Sequence, residues 1–128
     1  MSGESQMSRY SIDLTVMHKP LEVIDLAGVA AQRSEEWWNR TLTQVNSSVV
    51  RLCGLHGEFH WHRHDEDDEF FLVLEGRLFI DLEDRVIELG PNQGVTVPKG
   101  TKHRPRAPEK SLVLVVETSS IQPTGTED

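Results

Sequence analysis

The sequence predicts an all-β domain, a sandwich or barrel of short strands. From Thr41 to Glu117, stretches rich in Val, Ile, Leu, Thr and Phe alternate with Gly, Pro, Asn and Asp at intervals of 6–12 residues, the spacing of many short strands joined by tight turns. Few windows carry the 3.6-residue periodicity of an amphipathic helix. At 128 residues the chain is long enough for one hydrophobic core and too short for two domains.

The strands follow in order. Residues 1–20 read as an N-terminal extension. Its first nine residues are small and polar, and look disordered, while "YSIDLTVMH" (10–18) alternates well enough for an edge strand before Pro20. Asp25–Gln32 suits a short helical segment. Ser34 followed by Glu35 and Glu36 resembles a helix start, which predicts a helical turn over Glu35–Asn39. Strands are then expected in "TLTQVN", "SSVVRLCGL", "EFHWHRH", "EFFLVLEG", a hairpin of "RLFIDLED" and "RVIELG", then "GVTVP", "TKHRPRA" and "SLVLVVET". Residues 21–120 form the barrel and 121–128 a flexible tail.

Composition excludes several function classes. The formal charge is −8, which argues against a nucleic-acid partner, since phosphate backbones need a basic patch. The longest apolar runs are strand-sized, so no membrane partner is expected. The N-terminus shows no apolar leader. Cys53 is the single cysteine and can make no internal disulfide, which fits a cytoplasmic location. Several strands are apolar on both faces. The face turned away from the core then needs a second sheet, a helix or another subunit, which predicts a homodimer.

The chemistry concentrates in "GEFHWHRHDEDDEFFLVLEG" (57–76) and "GVTVPKGTKHRPRA" (94–107). Residues two apart on a strand share a face, so His62 and His64 point the same way. Glu69 opens the following strand and can reach the same point from an antiparallel neighbour. His103 follows a turn set by Pro98 and Gly100. Imidazoles with a carboxylate suit a divalent transition ion: Fe, Mn, Ni, Zn or Cu. The alternative is a set of polar groups on a half-exposed strand.

The spacing Gly57-x4-His62-x-His64-x4-Glu69-x6-Gly76 resembles the first motif of the cupin superfamily, and Pro98-x-Gly100-x2-His103 resembles the second. The resemblance spans roughly Thr41 to Glu117. It implies a double-stranded β-helix (jelly-roll) barrel that holds one divalent metal on His62, His64, Glu69 and His103, with two coordination positions left open. Two departures leave the ligands untouched. The glycine spacing of the first motif differs, and Ala107 stands where the second motif usually ends in asparagine. A register using Gly54 and His60 would put Glu69 two residues too far away.

Neighbouring residues are assigned as follows. His60 shares the inward face and is the candidate catalytic acid/base or hydrogen-bond partner of the ligands; Glu75 is a weaker candidate base. Trp37 and Trp38 suit a lid, a dimer contact or plain packing. Asp65–Asp68 read as a solvated loop. Arg104 and Arg106 suit either a substrate carboxylate or edge solvation. Phe71, Val73, Val95 and Val97 are expected to wall the pocket. The resulting expectation is a metal-dependent enzyme of dioxygenase, isomerase or lyase type acting on a small molecule. The alternative is a non-catalytic metal-containing barrel that binds a small ligand or serves a structural role.

Overall fold

The computed structural model describes residues 10–126; the expectation of disorder over residues 1–9 lies outside them. Among the described residues are eight strands and one short helix: β1 (Tyr10–Asp13), α1 (Leu26–Ala30), β2 (Trp37–Val45), β3 (Ser48–Glu58), β4 (Glu69–Glu75), β5 (Leu78–Leu82), β6 (Val86–Leu89), β7 (Gly94–Val97) and β8 (His103–Thr118). The all-β jelly-roll expectation holds.

Strand β8 organises the barrel. Its C-terminal half lies between β3 and β4, pairing Val113 with Cys53 on one side and with Val73 on the other. Its N-terminal part pairs with β5, setting Ile80 opposite Pro105. The sheet order β1-β2-β3-β8-β4-β7 thus continues through β8 into β5 and β6. A single 16-residue strand serves both layers, so the layers close on one another. All these pairings are antiparallel except the edge strand β1, which runs parallel to β2 with Tyr10 opposite Trp37.

Alternation along the strands sorts side chains into two cores. Inward-facing Cys53, Leu55, Phe71, Val73, Leu78, Ile80, Val113 and Val115 fill the barrel. The outer face of β2 and β3 carries Trp38, Leu42 and Leu52, on which α1 packs through Val29. One layer of helix therefore covers the apolar outer surface of these two strands.

Three sequence expectations are corrected. Glu35–Asn39 forms no helical turn: β2 begins at Trp37. Trp37 joins the inner core and Trp38 the outer one, and this in–out burial of large rings outweighs the weak cap signal at Ser34. "TKHRPRA" and "SLVLVVET" are one strand, because the residues between them are absorbed where the register shifts between Leu55 opposite Ser111 and Gly57 opposite Ala107. "EFHWHRH" is not a regular strand beyond Glu58. Its backbone is held at separate points: Phe59 N–H donates to the Pro105 carbonyl, His62 pairs with His103, and Arg63 pairs with Thr126.

Candidate metal centre

His62, His64, Glu69 and His103 come together at one end of the barrel, all buried, with one potential ligand atom from each within 4.8 Å of the others. Local backbone structure puts them there. Gly57, at φ +95°, turns the chain out of β3. His62 and His103 then exchange both backbone hydrogen bonds, at 2.9 and 2.8 Å. The His64 carbonyl accepts from Gly100 N–H at 2.8 Å, which ties the first motif to the turn that delivers His103. Gly100 has φ +79°, a conformation that favours glycine at this turn. Glu69 enters as the first residue of β4.

The hydrogen bonds behind the rings decide which atoms face the centre. His62 Nδ1 lies 2.9 Å from the His60 carbonyl, and His103 Nδ1 lies 2.9 Å from the Thr101 carbonyl. A carbonyl only accepts, so each Nδ1 carries the proton and each neutral ring turns a lone pair inward at Nε2. Around the centre, His64 Nε2 stands 3.4 Å and His103 Nε2 3.5 Å from Glu69 Oε1. These three atoms are buried and without a hydrogen-bond partner. Acceptors gathered in this way repel one another unless a cation lies between them.

Protonation states fit the same picture. Burial, reinforced by His103 alongside, pushes the His62 imidazole down to about 3, so it is neutral at pH 7 as a metal ligand must be. The candidate donor set is three imidazoles and one carboxylate. That combination is compatible with Fe, Mn, Ni, Zn or Cu.

Sequence reading missed the groups behind Glu69. Glu117 on β8 sits directly opposite Glu69 on β4, and burial, followed by Glu69 itself, pushes its carboxyl up to about 10. Two carboxyls this close hold one proton between them, and here Glu117 keeps it. Arg51 on β3 completes the group, its Nε 3.1 Å from Glu117 Oε2, with both side chains almost wholly buried. One signal was available: Arg51 has the inward parity of Val49 and Cys53, and Glu117 that of Val113 and Val115.

A cavity opens beside the cluster, touching His62, Glu69 and Glu117 and lined further out by Tyr10, Trp37 and Phe59. Of the expected wall residues, Phe71 lines it. Val73 is instead sealed in the core, and Val95 and Val97 border a separate depression with Leu82 and Lys102. His60 stands beside the cluster. Its Nδ1 is 3.2 Å from the Tyr10 hydroxyl and its Nε2 2.7 Å from the Thr124 carbonyl. Arg104 and Arg106 point away to Asp81, at 2.9 Å each. Asp68 accepts from Lys99 N–H. Glu75 is exposed on β4. Trp37 and Trp38 are packing residues, both nearly fully buried.

The cupin-domain family model matches residues 53–118. The chain belongs to the cupin family. YdbB, an uncharacterised protein of Bacillus subtilis, is 39% identical over 94 residues, covering 73% of this chain and 83% of that protein. A mannose-1-phosphate guanylyltransferase of Sinorhizobium fredii is 31% identical over 95 residues, but the match spans only 19% of that enzyme. Among solved structures, a cupin-2 domain protein of Shewanella frigidimarina superposes with TM-score 0.73 at 32% identity, covering 75% of this cupin and 94% of that chain. Protein NMB1881 of Neisseria meningitidis gives TM-score 0.70 at 26% identity, covering 76% and 99%.

Proposed function

We propose that this cupin binds one divalent transition metal through His62, His64, Glu69 and His103, and that it is a metal-dependent enzyme acting on a small molecule. The observation that carries the proposal is the inward convergence of His64 Nε2, His103 Nε2 and Glu69 Oε1, buried and without partners, with the His62 ring completing the set. A bound ion would supply Lewis acidity or, if redox-active, a place for dioxygen. The protein's own groups orient and insulate. The His60 and Thr101 carbonyls fix two of the rings, and burial keeps the His62 imidazole neutral. Arg51 and Glu117 hold the far side of Glu69. His60 is the candidate proton carrier, reaching the cavity through the Tyr10 hydroxyl.

The second reading is a non-catalytic barrel in which the ion joins the segment after β3 to the starts of β4 and β8. The small size of the cavity, about 60 Å³, favours it. Metal analysis of the purified protein, followed by oxygen uptake with diketones, thiols and aromatic diols, separates the two. Uptake coupled to turnover supports oxygenase chemistry. A stoichiometric ion without reaction toward these compounds or toward isomerase and lyase substrates supports the non-catalytic reading.

Two further expectations belong with this proposal. Leu14, Val16, Met17, Leu21 and Val23 present exposed apolar side chains in the segment between β1 and α1, which supports a homodimer. The single cysteine, Cys53, is free and buried, which is consistent with a cytoplasmic protein. Among the described residues, no helix is long and apolar enough to cross a membrane.

A further inference from the structure

Beyond β8 the chain turns back across the metal centre. Ser119 N–H donates to the Ser47 carbonyl and Ile121 N–H to that of Thr118, and Ile121 is buried. The next residues, Gln122–Thr126, lie over the segment that carries His62. Arg63 and Thr126 exchange both backbone hydrogen bonds, each 2.8 Å long. His60 Nε2 stands 2.7 Å from the Thr124 carbonyl, which can only accept, so His60 donates there. Gly125 sits against the His62 ring: a Cβ built on it would lie 2.5 Å from His62 Cδ2 and 2.8 Å from the Arg63 carbonyl oxygen. Cδ2 is bonded to Nε2, the atom that His62 turns toward the centre, so this contact bears on the ring beside its ligand atom.

The same residues close the cavity. Pro123 lines it, and every other lining residue belongs to a strand or to the segment between β3 and β4. The free space is about 60 Å³, far below the ~300 Å³ at the small end of drug-sized ligand pockets. His64 Nε2, His103 Nε2 and Glu69 Oε1 are buried. A small organic molecule therefore reaches the centre only if a wall moves. The barrel walls are fixed by strand ladders. Gln122–Thr126 is fastened differently: none of its residues is buried, and it is held to the barrel through Arg63 and His60. Few buried contacts and exposed hydrogen bonds mark the parts of a fold that open most readily.

We propose that Gln122–Thr126 is a latch over the metal centre. Shut, it seats the His62 ring and seals the cavity; swung away about Ile121, it admits the ion and the small molecule. The inference rests on the metal reading above and adds the route by which the site fills. The latch lies outside the cupin-domain match, which ends at residue 118, so it is a feature of this chain rather than of the matched domain.

The test locks the latch reversibly. Arg63 and Thr126 form a hydrogen-bonded antiparallel pair, in which Cα atoms stand about 5.5 Å apart, within reach of a disulfide. The full chain carrying Arg63→Cys and Thr126→Cys is oxidised, and its rates of zinc uptake and of zinc loss to a chelator are measured before and after reduction. Cys53 is buried and takes no part. Both rates should fall about tenfold in the oxidised form and return on reduction; the unaltered chain, treated alike, should not change. A disulfide that only stiffened the fold would slow loss but not uptake. Gly125→Ala should act in the opposite sense, because the added methyl holds the latch off His62: zinc loss should quicken about tenfold, while the zinc-free protein melts as before. Equal uptake rates in the oxidised and reduced forms, failure of the pair to oxidise, or a Gly125→Ala protein that releases zinc as slowly as the unaltered chain overturns the latch alone. A chain that holds no zinc overturns the metal reading and the latch together.

Discussion

Replacing His103 with alanine tests the metal centre through stability. An ion that binds the folded chain alone, present at 100 times its Kd, adds about 2.7 kcal/mol. For 128 residues, an unfolding entropy of about 2.1 cal/mol/K per residue converts that into roughly 10 °C of Tm. Without the His103 ring, three of the four inward donors remain. If Kd rises about a hundredfold, the same ion concentration only equals Kd and contributes about 0.4 kcal/mol, or 1–2 °C. The assay is differential scanning calorimetry of each protein, chelator-stripped and metal-loaded. Taking the difference for each protein cancels the packing lost with the buried ring. His56→Ala is the control. His56 is partly exposed, 3.5 Å from Glu36, and should keep the full shift. A His103→Ala protein that retains one ion and a 10 °C shift would refute the assignment.

Other substitutions probe the frame around the site. Arg51→Met should cost about 1–3 kcal/mol in chemical denaturation by leaving the buried Glu117 carboxyl without its partner, and adding Glu117→Leu should restore most of it; a double variant no better than the single would disprove the pairing. Gly76→Ala should destabilise by more than about 2 kcal/mol, because a positive φ is joined by a Cβ 2.8 Å from Ser111 Cα. Gly100→Ala meets no atom within 4 Å and should cost only the backbone strain of about 1 kcal/mol; equal losses would contradict the contact argument. Leu52→Ala, fully buried under α1, should lose about 2–5 kcal/mol with an unchanged denaturant slope.

The parts legible in the sequence were those written locally. His62, His64 and Glu69 lie within eight residues of one another, and Pro98 and Gly100 announce the turn before His103. The β5–β6 hairpin, with Leu78 opposite Leu89, and the short helix at 26–30 were readable for the same reason. Errors arose where a local signal met a distant partner. Ser34-Glu35-Glu36 suggests a helix start, yet Trp37 and Trp38 each find a separate core only in an extended chain. Pro105 and Pro108 suggest that β8 is broken. However, Pro105 needs only its carbonyl to pair with Phe59 N–H, and Pro108 falls in the register shift. The Arg51–Glu117–Glu69 group was hidden because it joins three strands whose register no local pattern encodes. The pocket walls were misplaced for a similar reason, since Tyr10 and Pro123 reach the cavity from opposite ends of the chain.

X-ray absorption at the metal edge of the loaded protein probes the proposed centre most directly. The proposal predicts one ion per chain and a first shell of nitrogen and oxygen only, with the multiple-scattering signature of three imidazoles at about 2.0–2.2 Å. A shell containing sulfur, or one with no imidazole, would contradict it.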